Sequence, residues 1–236
     1  MAVLASALLA LIILLPCSSA SAGDLFTGIR LDNNEQYFAY LGLKEDLPWK
    51  PLGLETFVQL FVTGQSYRYE FEKVETEASV QSLTPSLGVT KVIGGGPWSV
   101  SGLLGAELKW TKESPDPEDF GRYFESGVFV QAEAMYWQET HNFHAMVSYA
   151  HRDKFFFGRI RGKLRTASPE TGCCRIFVGL ELGGMDSRRF DFNAVQVGPL
   201  VEVPVGRFSL LAHAGFQQDS DLGSGGYGGL ELYTAF

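Results

Sequence analysis

Residues 129–137 read "FVQAEAMYW", and the alternation in this stretch decides the fold. Counting from Val128, the side chains of Val128, Val130, Ala132, Ala134 and Tyr136 share one face of an extended chain, while Phe129, Gln131, Glu133 and Met135 share the other. A period of two is the mark of a strand, because successive side chains leave a pleated backbone on opposite sides. The pattern returns in "RIFVGLELGG" (175–184), where Ile176, Val178, Leu180 and Leu182 oppose Arg175, Phe177, Gly179 and Glu181. It returns again in "RFSLLAHAGFQ" (207–217), where Phe208, Leu210, Ala212, Ala214 and Phe216 oppose Ser209, His213, Gly215 and Gln217. Each strand has one oily face and one mixed face.

Working outward, the same reading predicts strands near 25–31, 36–45, 54–71, 78–92, 98–111, 122–137, 142–151, 154–165, 174–184, 190–204, 207–217 and 226–236. Twelve is the count, with ten as the alternative. Turn chemistry separates them, in "DNNE" (32–35), "GGGP" (94–97), "SPDPED" (114–119), "SPETG" (168–172) and "DSDLGSGG" (219–226). No linker, repeat or low-complexity tract interrupts residues 23–236, which read as one domain.

A soluble sandwich also alternates, but its outer face is solvated and rich in Lys, Asp and Glu. Here one face is almost purely aliphatic and aromatic, and the other carries Glu, Gln, Arg, Gly and Tyr. That pairing predicts an all-β, closed, antiparallel up-and-down transmembrane barrel with lipid outside and a polar lumen. All the predicted strands but the first reach the roughly 9–11 residues that a tilted strand needs to cross a bilayer. Closure follows, since an open edge in hydrocarbon leaves backbone amides unpaired. Trp49, Trp98, Trp110, Trp137, Tyr123, Tyr149 and Tyr233 fall near strand ends and are expected in the interfacial girdles.

The first segment, "MAVLASALLALIILLPCSSASAG", has an uncharged apolar run from Ala2 to Leu15 followed by small residues. It reads as a secretory signal peptide over residues 1–22, with an A-x-A-type cleavage site after Ala22. Acylation of Cys17 and an N-terminal helix retained in the mature fold are the competing readings, and Pro16 fits a lipobox poorly. The formal net charge of −8 argues against a nucleic-acid partner. Cys173 and Cys174 are adjacent and close no ordinary loop, so no disulfide framework is expected.

The search for chemistry yields no expected catalytic residue, cofactor or metal. His141 and His144 in "HNFH" are three apart, so on a strand they point to opposite faces. "GQSYR" (64–68) lacks the pattern of a nucleophile elbow, and "VIGGGP" (92–97) lacks the Lys-Ser/Thr and helix of a phosphate loop. One constellation stands out. In "KFFFGRIRGKLR" (154–165), Arg159, Arg161, Lys163 and Arg165 share one face of one strand. A cation at mid-bilayer costs about 2–4 kcal/mol, so these four are expected to face the lumen. Parity adds Glu107, Glu133, Glu181, Glu202 and Glu231, with Gln59, Gln131 and Gln196. Two readings follow: an internal salt-bridge network that fills the barrel, or a polar track that binds or passes a hydroxyl-rich or anionic glycan.

The last strand, "GGYGGLELYTAF" (225–236), places Leu230, Leu232, Thr234 and Phe236 on the outward face. Leu230, Leu232 and Phe236 resemble the C-terminal assembly signal read by the insertion machinery of Gram-negative outer-membrane barrels. The stretches "EQYFAYLGLKEDLP" (35–48), "YRYEF" (67–71), "FFFGRIRGKLR" (155–165), "VQVGPLVEVPVGRFSLLAHAGFQQDSD" (195–221) and this ending resemble the BcsS family of alphaproteobacterial cellulose-biosynthesis proteins. The resemblance implies an outer-membrane barrel associated with cellulose-synthesis operons, with no catalytic residues to carry over. The expected function is therefore non-enzymatic assistance in producing or exporting cellulose or another exopolysaccharide, with membrane lipid, the barrel assembly machinery and the polysaccharide synthesis or export complex as partners. The alternatives are a lipid-modifying enzyme of the lipid A deacylase or phospholipase type, which needs an adjacent Ser and His at the rim, and a small porin or structural barrel.

Overall fold

The computed structural model describes residues 23–33, 36–71, 74–115, 122–166, 175–189, 192–220 and 223–236. The proposed signal peptide, Cys17, Cys173 and Cys174 lie outside them. Twelve strands run in chain order: β1 Gly23–Asp32, β2 Tyr37–Leu47, β3 Glu55–Phe71, β4 Val74–Ile93, β5 Trp98–Ser114, β6 Arg122–Trp137, β7 His141–Ala150, β8 Phe155–Arg165, β9 Phe177–Ser187, β10 Phe192–Val205, β11 Phe208–Asp219 and β12 Gly223–Ala235. Each pairs antiparallel with its neighbours, and β1 pairs with β12 to close the barrel. Closure leaves every strand with two partners, as a chain in hydrocarbon requires. The count is twelve, not ten.

Strand β4 starts at Val74, four residues before its predicted start at 78. Glu75, Thr76 and Glu77 break the apolar alternation and read as loop. In the barrel they extend the ladder with β3 through Arg68↔Glu77, Tyr69↔Thr76 and Glu70↔Glu75. Backbone pairing to a long neighbour overrides a weak side-chain signal here. Gly94 and Gly95 take φ of 61° and 64° in the turn that joins β4 to β5, left-handed values that suit "GGGP" to a tight reversal.

The exterior is an apolar belt. Val58, Leu60, Leu87, Leu104, Val128, Val130, Ile160, Leu180, Leu182, Val197, Leu210 and Leu230 are all exposed. Among the described residues, the outward charged side chains lie toward strand ends: Arg68, Glu77, Lys112, Arg122 and Asp186 at one end, and Glu45 and Lys91 at the other. Among the described residues no helix is long and apolar enough to cross a membrane; the strands do the crossing. Trp110 and Phe124 pair outward with ring centroids 5.3 Å apart at one margin of the belt. Trp98 and Tyr136 pair outward at 4.8 Å at the other margin, with Phe143 beside Trp98.

Three residues expected in the girdles point the other way. Register places Trp137, Tyr123 and Tyr233 on the lumen face, next to the outward-facing Tyr136, Phe124 and Leu232. Nearness to a strand end suggested a girdle, but strict alternation decides the side. Inside, aromatic rings lie flat on bare backbone. A Cβ at Gly42 would come within 2.1 Å of the Phe26 ring, and one at Gly88 within 2.1 Å of Phe57, so these lumen rings need glycine opposite them.

Candidate functional site

The lumen face of β8 carries Arg159, Arg161, Lys163 and Arg165 in register with the odd-numbered residues of β9. Arg161 is at the centre of a network. Its Nε donates to Glu181 Oε2 at 2.6 Å, and its two terminal nitrogens donate to the Glu231 carboxylate at 2.7 and 2.6 Å. Arg159 donates to the same Glu231 at 3.3 Å. Glu181 also accepts from Gln196 at 3.4 Å and from the Tyr227 hydroxyl at 3.3 Å, and His213 Nδ1 lies 3.3 Å from it. Arg30 stacks over the Tyr227 ring at 4.8 Å and bonds to Gln196 and Gln217.

This cluster joins β8 to β12 over the inward faces of β9, β10 and β11. Arg161 is 4% exposed and Glu181 1%, while Glu231 is 15% exposed, so the Glu181 side of the bridge is the buried one. A bidentate arginine between two carboxylates is the geometry in which a buried charge cluster can hold together. Lys163 takes a different partner, bonding to Glu202, which also accepts from Ser209. Arg165 lies on the same face at the end of β8 that is shared with Gly23 and Phe236, the termini of the barrel.

The remaining predicted lumen residues fall into two further groups. Glu133 accepts from Gln131 at 2.5 Å and lies 3.8 Å from His144 Nε2. Gln59, Gln131, Glu133 and Lys44 line a cavity of about 30 Å³, room for no more than a water or two. Glu107 faces the lumen on β5, one inward position from Lys109. Lys109 belongs to a cluster at the end of the barrel away from the termini, bonding to Asp153 and reaching Glu125 at 3.4 Å. Glu125 also accepts from Arg152 and from Arg189, both at 2.9 Å. Hydrogen bonds to Glu125 hold the Arg189 guanidinium above its ordinary value, against the opposing effect of partial burial. Sequence parity put Glu107 on the lumen face but gave no sign of the clustering of Lys109, Glu125, Arg152, Asp153 and Arg189, because three of the five sit in turns.

His144 faces inward with Asn142, while His141 faces outward against the Tyr136 ring at 5.3 Å. The described residues hold no group of three His, Cys, Asp or Glu side chains suited to a metal ion. Leu230 and Leu232 lie on the lipid face of β12 opposite Ala212 and Leu210. Phe236 exchanges two 2.9 Å backbone bonds with Gly23, carrying closure to the last residue.

No family model and no curated protein matches the chain. Solved structures do. LpxR from Salmonella typhimurium superposes with a TM-score of 0.55 at 8% identity, covering 90% of this chain and all of that one. The transport unit of the autotransporter AIDA-I from Escherichia coli gives 0.53 at 10% identity, over 94% and 92% of the two chains. The β domain of the Bordetella autotransporter BrkA gives 0.52 at 14% identity, over 92% and 98%. The fold is that of a Gram-negative outer-membrane β-barrel. The apolar belt and the paired ionic interior are consistent with that location.

Proposed function

We propose that this protein is a non-catalytic outer-membrane barrel that assists the production or export of a surface polysaccharide, with cellulose as the polymer. The observation that carries the reading is the Arg161 bridge to Glu181 and Glu231. A porin keeps its ionic side chains solvated around a bore, whereas here Arg161 and Glu181 are buried and Glu231 is largely covered, and the three satisfy one another. A barrel of about twelve strands lies between side-chain-filled and channel-forming sizes, and the bridge takes it toward the filled kind. Such a barrel handles a polymer at its mouths and exterior rather than by conduction. The resemblance of residues 35–48, 155–165 and 195–221 to the BcsS family supports cellulose over other glycans, and with it a synthesis or export complex as the working partner.

Deleting the gene and staining intact cells with a cellulose-binding dye tests the reading. Surface cellulose is expected to fall several-fold and to return when the full chain is supplied again. Unchanged cellulose, in a strain shown to make the polymer, would sink the proposal.

A further inference from the structure

Three lumen-facing residues at the end of the barrel shared with the termini are consecutive register partners across three strands: Trp137 on β6, Asn142 on β7 and Lys163 on β8. Trp137 is 54% exposed although it faces the lumen, where no lipid can cover it. The Lys163 ammonium lies 5.7 Å from the centroid of its ring. Asn142 is buried, its Oδ1 accepts from the Gln138 amide at 3.2 Å, and its Nδ2 has no hydrogen-bond partner among the described residues. A buried donor left unpaired is costly, and its retention calls for an explanation.

The same mouth continues around the barrel. Lys163 bonds to Glu202, Glu202 to Ser209, and Ser209 is the register partner of Tyr233 on β12. Tyr233 is 44% exposed, faces the lumen and donates its hydroxyl to Asp24 at 2.6 Å, and Asp24 pairs with Lys44 at 3.7 Å. Two water-exposed aromatic faces are thus set among carboxylates, a hydroxyl and an amide donor. The two carboxylates named here each have a lysine, Glu202 with Lys163 and Asp24 with Lys44, and Arg165 adds a cation on the same lumen face at this end. An anionic ligand would want a cluster of cations free of carboxylates; both lysines here are held by one, and the rim sets flat apolar faces and hydrogen-bonding groups beside them.

We propose that this mouth binds a neutral, hydroxyl-rich glycan chain, with Trp137 and Tyr233 stacking on the C–H faces of sugar rings and Asn142 Nδ2 donating to a ring substituent. The inference rests on the polysaccharide reading above and names the place where the polymer meets the barrel. Placing the rim at the terminus end also explains why the central bridge need not open: the chain is engaged before the bridge is reached.

The test uses the full barrel in detergent, titrated with cellohexaose and, in parallel, with maltohexaose, by calorimetry and by tryptophan fluorescence. Saturable binding of either sugar at millimolar concentration or below is expected. Trp137→Ala should weaken it by about tenfold or more, the order of one lost anchor contact. Trp110→Ala, at the opposite margin and facing lipid, should leave affinity unchanged. Heat-dependent gel mobility checks that each variant is folded. Should Trp137→Ala fail to fold, Asn142→Ala, which removes the orphan donor together with the acceptor of the Gln138 amide, is expected to weaken binding several-fold. Absence of binding by the wild-type barrel, or binding indifferent to every lumen-face substitution made, would overturn the inference. Lost surface cellulose on gene deletion together with no sugar binding would leave the functional reading standing and remove this one alone.

Discussion

Arg161 shows how much one lumen residue carries. Its guanidinium is shared between Glu181 and Glu231, so removing it leaves the buried Glu181 without a guanidinium partner and Glu231 with only the Arg159 guanidinium. Breaking a buried ion pair from one side costs about 3–5 kcal/mol. Arg161→Met is therefore expected to lower unfolding stability in lipid by an amount of that order, read from the urea midpoint. Removing Glu181 as well should recover part of the loss, because the buried carboxylate that lost its guanidinium is then gone. The direction of the four cations was legible in "FFFGRIRGKLR", since parity and the cost of charge in lipid leave one choice. Their partners were not, because Glu181 and Glu231 lie 20 and 70 residues along the chain and only strand order and register bring them together. Trp137 shows the opposite case. Its lumen placement followed from the outward face assigned to Tyr136, yet its position at a strand end pointed to a girdle.

At the scale of the strand, alternation assigns every side chain to lipid or lumen, and neighbouring positions should respond in opposite ways to charge. Leu180 faces lipid near the middle of β9 and is 65% exposed. Leu180→Arg is expected to destabilise the barrel by about 2–4 kcal/mol, measured by refolding into vesicles, as for a cation near the bilayer midplane. The final strand makes a separate prediction. If Leu230, Leu232 and Phe236 serve assembly, Phe236→Ala should cut the amount of barrel in the outer membrane while refolding in detergent proceeds as before. A matched loss in both would instead assign the residue to stability. The early start of β4 escaped the pattern because Glu75, Thr76 and Glu77 are polar on both faces; only the ladder with β3 makes them strand.

For the molecule as a whole, the Arg161 bridge predicts a barrel that conducts poorly. Purified wild-type protein in planar bilayers should show few or no ion steps, and Arg161→Ala combined with Glu231→Ala should produce them. Large steady steps from the wild type would contradict the filled lumen and favour a porin. The closed topology was legible from twelve alternating segments, and solved barrels of the same fold agree with it. The packing of the interior was not, because the same alternation serves an open channel and a filled one. What both share is hydrocarbon on one side of every strand. Spin labels placed singly along residues 126–136 of β6 test that most directly, by comparing collisions with oxygen, which dissolves in lipid, and with a water-soluble nickel complex. The even-numbered positions should be open to oxygen and closed to nickel, with the phase reversed at the odd-numbered ones. Accessibility without a period of two, or nickel reaching Val128 and Val130 freely, would contradict the barrel in the membrane and everything argued from it.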